Sequence, residues 1–142
     1  MILTLTLTIL LTAYAADPII TVFKTATCGC CGVWVNHLKA NGFEVIVHEV
    51  ESTSEYQLKY GVPERLRSCH TAIVAGYTIE GHVPAAEIQR LLKEKPKAKG
   101  LAVPGMPIGS PGMEMGGRSD RYQVLLFQEN GQVSVYKEYP AQ

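Results

Sequence analysis

Two adjoining segments decide the fold: Ile19-Ile20-Thr21-Val22-Phe23-Lys24 and Thr27-Cys28-Gly29-Cys30-Cys31-Gly32. The first is rich in β-branched and aromatic residues, a composition typical of a strand. After the cysteines, apolar residues recur at helical spacing from Val33 to Leu38, and Asn41-Gly42 provides a signal that ends a helix. The sequence therefore predicts a strand, a cysteine-rich turn and a helix in direct succession.

The chain then continues to alternate between strand and helix patterns. Further strands are predicted at residues 43–50, 71–75 and 78–80, a short helix with the S-x-x-E capping-box spacing at 52–60, a helical turn at 63–67, and a helix that begins at Pro84. A parallel β-α-β unit followed by an antiparallel hairpin and a covering helix is the thioredoxin-like arrangement. The predicted fold class is therefore α/β.

The last part of the sequence has a different character. Pro96 to Gly117 is rich in Gly, Pro and Met and shows no periodicity, which is typical of a functional or a disordered loop. Val124–Phe127 and Val133–Tyr136, joined through Asn130-Gly131, predict a terminal β-hairpin. We therefore expect a thioredoxin-like sheet with flanking helices, followed by a Gly/Pro/Met-rich loop and a C-terminal hairpin.

Length and charge limit the classes of function. At 142 residues the chain suits one domain with its own core. Thirteen basic residues balance thirteen acidic ones, so the formal net charge is zero. Because phosphate binding normally requires a basic excess, nucleic acid is not expected as a partner.

The first sixteen residues carry no charged side chain, and the small residues of Ala13-Tyr14-Ala15 match what a signal peptidase reads. We predict a signal peptide at residues 1–16, cleaved near Ala15-Ala16, although only the α-amino group supplies its positive end. The apolar run is too short for a transmembrane helix, so no stable membrane insertion is expected after cleavage. An uncleaved anchor or a buried N-terminal strand is the alternative. Export places the mature domain, residues 17–142, in an oxidising compartment.

The four cysteines carry the chemistry of the sequence. Cys28 and Cys31 have the C-x-x-C spacing of a redox dithiol at a helix N-terminus, where thiolate is favoured. Cys30 adds a third thiol that would scramble such a pair by exchange, whereas three thiolates in one turn suit a soft metal. Cys69 precedes the third strand, in the loop expected to face the turn, with His70 beside it. A Cys28–Cys69 or Cys31–Cys69 disulfide, or a buried inert Cys69, is the structural alternative.

The loop and the histidines supply further candidate ligands. Met106, Met113 and Met115 lie outside any periodic element, unlike methionines that pack in a core. Thioether sulfur, like thiolate, selects Cu(I), so copper is the leading metal. His70 and His82 flank strands near the proposed site and are candidate copper ligands.

Three other residues are expected to have ordinary structural roles. His37 lies inside the first predicted helix and His48 within the second predicted strand, so both are interpreted as packing or surface residues. Trp34 is interpreted as a core residue of the first helix.

Several longer motifs resemble the CopG-type family, exported bacterial proteins associated with copper resistance and long classified as a domain of unknown function. The motifs are Cys28-Gly29-Cys30-Cys31 with Trp34, Ser68-Cys69-His70-Thr71-Ala72, Gly81-His82-Val83-Pro84-Ala85, and the stretch from Gly100 to Pro107 with Gly109 to Glu114. The resemblance covers nearly the whole mature chain.

The resemblance implies a thioredoxin-like fold in which the CxCC motif and a further cysteine bind a small, multinuclear copper–thiolate cluster. It also implies a periplasmic role in copper tolerance, with interconversion of Cu(I) and Cu(II). The implied cluster ligands are Cys28, Cys30, Cys31 and Cys69. The candidates for peripheral ligation or metal transfer are Met106, Met113, Met115, His70 and His82. Copper ions and other periplasmic copper-handling proteins are the implied partners.

Two other functions remain open from the residues alone. The first is a periplasmic thiol–disulfide oxidoreductase that uses Cys28 and Cys31. The second is a structural zinc protein, whose metal binding would not depend on Met106 or Met113. The sequence contains no recognisable acid–base dyad or nucleophile–base pair, so an enzymatic activity would be electron transfer at the metal.

Overall fold

A computed structural model describes residues 18–142 of the chain. The predicted signal peptide, residues 1–16, lies outside the described residues and stays a prediction. Within 18–142, no helix is both long and apolar enough to cross a membrane.

Seven strands, three α-helices and one 3₁₀ turn make up the described chain. They are β1 (Ile20–Lys24), α1 (Gly29–Ala40), β2 (Val45–Glu49), α2 (Ser54–Lys59), the 3₁₀ turn Glu64–Leu66, β3 (Thr71–Val74), β4 (Tyr77–Glu80), α3 (Ala85–Glu94), β5 (Gly100–Ala102), β6 (Tyr122–Phe127) and β7 (Val133–Tyr139).

The strands form one sheet in the order β2-β1-β3-β4-β5-β6-β7. β1 pairs in parallel with β2 and antiparallel with β3, and β3 pairs antiparallel with β4. These four strands with α1 and α3 form the thioredoxin-like α/β unit, which confirms the predicted fold class. The predicted terminal hairpin is also confirmed: β6 and β7 pair antiparallel, and β6 joins the sheet through β5.

The pairing brings several chain segments to one end of the sheet. Phe23, near the end of β1, pairs with Thr71 at the start of β3, and Thr71 pairs in turn with Glu80 at the end of β4. β5 runs parallel to β4, so the chain that follows Ala102 leaves at the same end. The turn after β1, the loop before β3, the chain after β4 and the Gly/Pro/Met-rich loop therefore meet there.

β5 is a correction to the sequence analysis, which assigned all of Pro96 to Gly117 to a loop. Gly100–Ala102 pairs with both β4 and β6, so it bridges the thioredoxin-like unit and the hairpin. A side chain at Gly100 would clash with the carbonyl oxygen of Thr78, only 1.7 Å from the position of an added Cβ. Three residues are too few to show a period of two, and their pairing partners are distant in sequence.

Two smaller predictions also need correction. The second strand begins at Val45 rather than Phe43, and residues 46–49 are exposed because β2 is an edge strand. The predicted capping box that starts at Ser52 is wrong, because α2 begins at Ser54 and its N-cap, Thr53, makes no side-chain capping bond. Instead the Ser54 N–H donates to Ser52 Oγ at 3.2 Å, a local turn contact.

The main core lies between the sheet and helices α1 and α3. α1 contributes Trp34 and Leu38, and α3 contributes Ile88 and Leu91, all fully buried. Trp34 is therefore a core residue, as predicted, and its Nε1–H donates to the Val83 carbonyl at 2.8 Å. This bond ties the first helix to the chain that follows β4, beside the cysteine turn.

Candidate metal centre

Three cysteines lie where β1 turns into α1; we call Cys28, Cys30 and Cys31 the helix side of the site. Cys28 is the N-cap of α1, and the other two lie in its first turn, which contains no acidic residue. The unpaired N–H groups and dipole of a helix N-terminus favour negative charge on thiols placed there. Cys31 is buried, whereas Cys28 and Cys30 are partly exposed.

The structure contains a disulfide between Cys28 and Cys31, while Cys30 and Cys69 are free thiols. Both disulfide alternatives that involve Cys69 are therefore wrong for this state. Cys30 Sγ lies 3.5 Å from Cys28 Sγ, close enough for a thiol to exchange with the disulfide. The helix side thus holds a disulfide-bonded pair and a neighbouring third thiol.

The second group consists of Cys69, His70 and His82, which we call the strand side. Cys69 and His70 precede β3, and His82 follows β4, so the antiparallel β3–β4 pairing brings them together. Cys69 Sγ lies 3.3 Å from His70 Nδ1 and 3.2 Å from His82 Nε2. Both histidines are fully buried, and Cys69 is partly buried.

The hydrogen bonds of His82 define its tautomer. Its Nδ1 lies 2.7 Å from the Pro111 carbonyl oxygen, which can only accept, so Nδ1 carries the proton and donates. Nε2, the atom that faces Cys69, is then unprotonated, so its lone pair can accept from the Cys69 thiol or bind a metal ion. A metal-binding histidine is commonly oriented in this way, by a carbonyl that accepts from its other nitrogen.

Burial keeps the strand side uncharged in the absence of metal. It lowers the pKa of His70 to about 3, with a further contribution from His82, and it also lowers the pKa of His82. It raises the pKa of Cys69 to about 11. His70 Nε2 has no hydrogen-bond partner among residues 18–142. The site therefore presents neutral imidazoles and a protonated thiol, which must release its proton to bind a metal.

Cys69 of the strand side also lies among the sulfurs of the helix side, so the two sides form a continuous set of donors. The sulfurs of Cys28, Cys30, Cys31 and Cys69 all lie within 4.8 Å of one another, as do the donor atoms of Cys69, His70 and His82. Two sulfur ligands of one metal ion, each about 2.3 Å away, lie at most about 4.6 Å apart. The spacing therefore fits shared metal ions after a small contraction, once the disulfide is reduced.

The Gly/Pro/Met-rich loop lies against this site, but its three methionines differ in position. Met113 is partly buried and follows Gly112, where an added Cβ would lie 2.8 Å from the Cys30 carbonyl oxygen and 3.1 Å from His82 Nδ1. Met106 follows Gly105, whose carbonyl accepts from Ser68 Oγ, and it is 51% exposed. Met115 is 62% exposed. Their ligation stays a prediction, and Met113 is the one of the three that is partly buried.

The remaining two histidines lie away from the donor set, as expected. His37 is partly buried, and its Nε2 accepts the backbone N–H of Ala85 at 3.0 Å, near the start of α3. His48 is exposed on β2 and stacks on Phe23, with ring centroids 5.4 Å apart. Their interpretation as packing or surface residues agrees with these contacts.

Sequence reasoning missed the polar residues that support the site. Glu80 and Gln57 are buried and both contact Ser68, the residue before Cys69. The role of Gly112 was also missed: its lack of a side chain lets the loop approach Cys30, Trp34 and His82. Its flanking Pro111 and the Gly-rich composition were the available signal for a close approach.

Fold and site together define a class: a thioredoxin-like protein in which the C-x-x-C pair belongs to a larger Cys/His donor set. A family model described as "Protein of unknown function, DUF411" matches residues 66–113. No curated protein matches the chain.

Two solved structures share this fold. Both are titled copper resistance protein CopG, in forms 2 and 1, with sequence identities of 49% and 50%. Each covers 87% of this chain with a TM-score of 0.83, and the matches span 99% and 98% of their own chains. The chain therefore belongs to the CopG family.

Proposed function

We propose that the protein is a periplasmic copper-binding protein of copper tolerance that holds a multinuclear Cu(I)–thiolate cluster on Cys28, Cys30, Cys31 and Cys69. The observation that carries this proposal is the convergence of four sulfurs, all partly or fully buried, within 4.8 Å of one another. Soft thiolates select Cu(I), and bridging thiolates allow several ions to share few ligands. The CopG title of its two relatives supports copper as the metal.

The strand side extends the range of copper chemistry. His82 Nε2 and His70 Nδ1 both lie within 3.3 Å of Cys69 Sγ. Imidazole suits copper in general, whereas thiolate favours Cu(I), so a mixed set supports both oxidation states. We infer a role in interconverting Cu(I) and Cu(II), in which each copper ion exchanges one electron with an external redox partner. The predicted export would bring the protein to the periplasm, among other copper-handling proteins.

One observation favours a second candidate function. The Cys28–Cys31 disulfide is the oxidised form of a thioredoxin-type dithiol, at the same position in the same fold. A thiol–disulfide oxidoreductase would use Cys28 and Cys31 for exchange and would not require Cys30. The two functions therefore differ in what is lost when Cys30 is removed.

A Cys30→Ser variant tests both. After reduction and anaerobic titration with Cu(I), we expect fewer copper ions per chain than in the wild type, because one bridging sulfur is gone. An insulin reduction assay on the same samples measures dithiol exchange. Unchanged copper stoichiometry, together with insulin reduction that persists in Cys30→Ser, would favour the oxidoreductase and contradict the cluster.

A further inference from the structure

The loop that carries Cys69 is held by a buried polar network centred on its neighbour, Ser68. The Ser68 N–H donates to Glu80 Oε1 at 2.6 Å, and the Ser68 carbonyl accepts from Gln57 Nε2 at 3.0 Å. The Ser68 hydroxyl donates to the Gly105 carbonyl at 2.5 Å. All three polar groups of the residue before Cys69 are therefore fixed by contacts to other elements.

Glu80 is the centre of this network. Its Oε1 also accepts from Gln57 Nε2 at 2.7 Å, and its Oε2 accepts from Thr71 Oγ1 at 2.6 Å. The side chain is fully buried at the end of β4. Burial raises the pKa of Glu80, while its hydrogen bonds and the nearby Arg67 guanidinium oppose that rise. A buried carboxyl group is costly unless it is fully hydrogen-bonded, and this one has three donors.

These contacts lie directly beside two candidate metal ligands, so they hold the ligands in place as well as stabilising the fold. Ser68 precedes Cys69 and Thr71 follows His70. Glu80 therefore accepts hydrogen bonds from the residues on both sides of the Cys69-His70 pair. The side-chain amide of Gln57 donates both of its hydrogens within this network, one to the Ser68 carbonyl and one to Glu80 Oε1. The network therefore spans α2, the loop before β3, and β4.

We propose that Glu80, braced by Gln57, is a positioning residue that fixes Cys69 and His70 at the metal centre. It touches no donor atom itself and acts through the backbone of Ser68 and the hydroxyl of Thr71. Its effect on copper rests on the proposed function, but its effect on Cys69 does not. A loop held in this way keeps the Cys69 sulfur against the two imidazoles before any metal arrives.

The test compares Glu80→Leu, which removes every acceptor, with Glu80→Gln, which keeps an acceptor for Ser68 and Gln57. Glu87→Leu is the control, because Glu87 is also buried but accepts from Tyr139 on the hairpin, at 2.5 Å. Each variant is made in a background where Cys69 is the single cysteine, with serine at positions 28, 30 and 31. The rate at which Cys69 reacts with Ellman's reagent is then measured without metal.

We expect Glu80→Leu to raise that rate about tenfold or more, the size expected from losing hydrogen bonds to a charged group. Glu80→Gln and Glu87→Leu should react at nearly the parent rate. Amide hydrogen exchange at Ser68 should accelerate in Glu80→Leu alone, while exchange in β1 stays slow. If Glu80→Leu does not fold, Gln57→Met removes the hydrogen bonds that Gln57 donates to Glu80 and Ser68. It should also increase the rate of Cys69 reaction and the rate of Ser68 amide exchange.

Equal rates in Glu80→Leu, Glu80→Gln and Glu87→Leu would overturn the proposal, as would Ser68 exchange that is unaltered. A parallel copper titration in the four-cysteine protein separates this failure from that of the proposed function. If the wild type binds no copper, the metal assignment fails, yet the thiol and amide measurements still decide the role of Glu80. If copper binds, Glu80→Leu should lose it to a Cu(I) chelator before Glu80→Gln does.

Discussion

The two sides of the site are built differently. The helix side lies at the N-terminus of α1, where Cys28 and Cys30 are partly exposed and Cys28 forms a disulfide with the buried Cys31. The strand side is fixed by buried contacts, since the Pro111 carbonyl orients His82 and Glu80 fixes the loop of Cys69. One side can change its covalent state, and the other is arranged in advance. The fold therefore combines an adaptable thiol turn with a rigid Cys/His edge.

The largest effect should come from removing Cys69, which belongs to both the four-sulfur group and the Cys/His group. In Cys69→Ser, the four-sulfur group and the Cys/His group each lose a member, so we expect no copper to survive competition with a Cu(I) chelator. The loss in copper affinity should exceed the loss of about 10–100-fold that is typical when a hydrogen-bond partner of a metal ligand is removed. Cys28→Ser is the matched control, because it leaves Cys69, His70 and His82 intact and should retain part of the copper. Equal retention of copper by the two variants would contradict a joint role of Cys69 in the four-sulfur group and the Cys/His group.

The next effect concerns the contact between the two sides. An alanine Cβ at Gly112 would lie 2.8 Å from the Cys30 carbonyl on one side and 3.1 Å from His82 Nδ1 on the other, at a φ of +90°. Gly116 also has positive φ, +64°, but nothing lies within 4 Å of its added Cβ. We expect Gly116→Ala to cost about 1 kcal/mol of unfolding free energy and Gly112→Ala about 1–3 kcal/mol more.

Urea unfolding of the metal-free proteins measures this difference. Equal destabilisation by the two alanines would mean that the loop yields easily and does not press on both sides. A larger loss in Gly112→Ala, with the Trp34 fluorescence changed because its backbone N lies 3.0 Å from the new Cβ, would confirm the close approach.

The smallest effect is a pH dependence at the junction of α1 and α3. Burial lowers the pKa of His37, partly opposed by Glu114, and the neutral Nε2 accepts the Ala85 N–H. The unfolded chain therefore binds this proton more readily than the fold does. The His37 contribution to stability is present above about pH 6.5 and is lost as pH falls through and below that value.

His37→Gln tests this dependence because glutamine keeps an acceptor for Ala85 but does not titrate. Thermal unfolding at pH 7.5 and 5.5 should show a smaller acid-induced loss of stability in His37→Gln than in the wild type. His48→Gln, at an exposed position on β2, is the control and should behave as the wild type does. An identical acid-induced loss in all three proteins would contradict the assignment.

What the sequence could predict depended on how local each signal was. The strand, cysteine turn and helix from Ile20 to Ala40 were predictable because composition and helical spacing are local properties. The closeness of Cys69 to the cysteine turn after β1 was also predictable, because the antiparallel pairing of β3 with β1 follows from the fold class. β5 was not, because Gly100–Ala102 is too short for a pattern and depends on distant partners.

The polar support of the site was harder to see. Glu80 and Gln57 are separated by 22 other residues and meet only after α2 packs beside β4. A glutamate at the end of a strand and a glutamine in a short helix both look like surface residues in a sequence. The covalent state of the turn was equally hidden, because C-x-x-C spacing allows both the Cys28–Cys31 disulfide and metal binding.

The central claim is that all four cysteines bind copper together. Its most direct test is anaerobic Cu(I) titration of the reduced protein, with metal quantification and copper X-ray absorption on the same sample. We expect more than one copper ion per chain, with sulfur scattering dominating the nearest coordination shell. Less than one copper per chain, or the absence of copper–sulfur scattering, would contradict it.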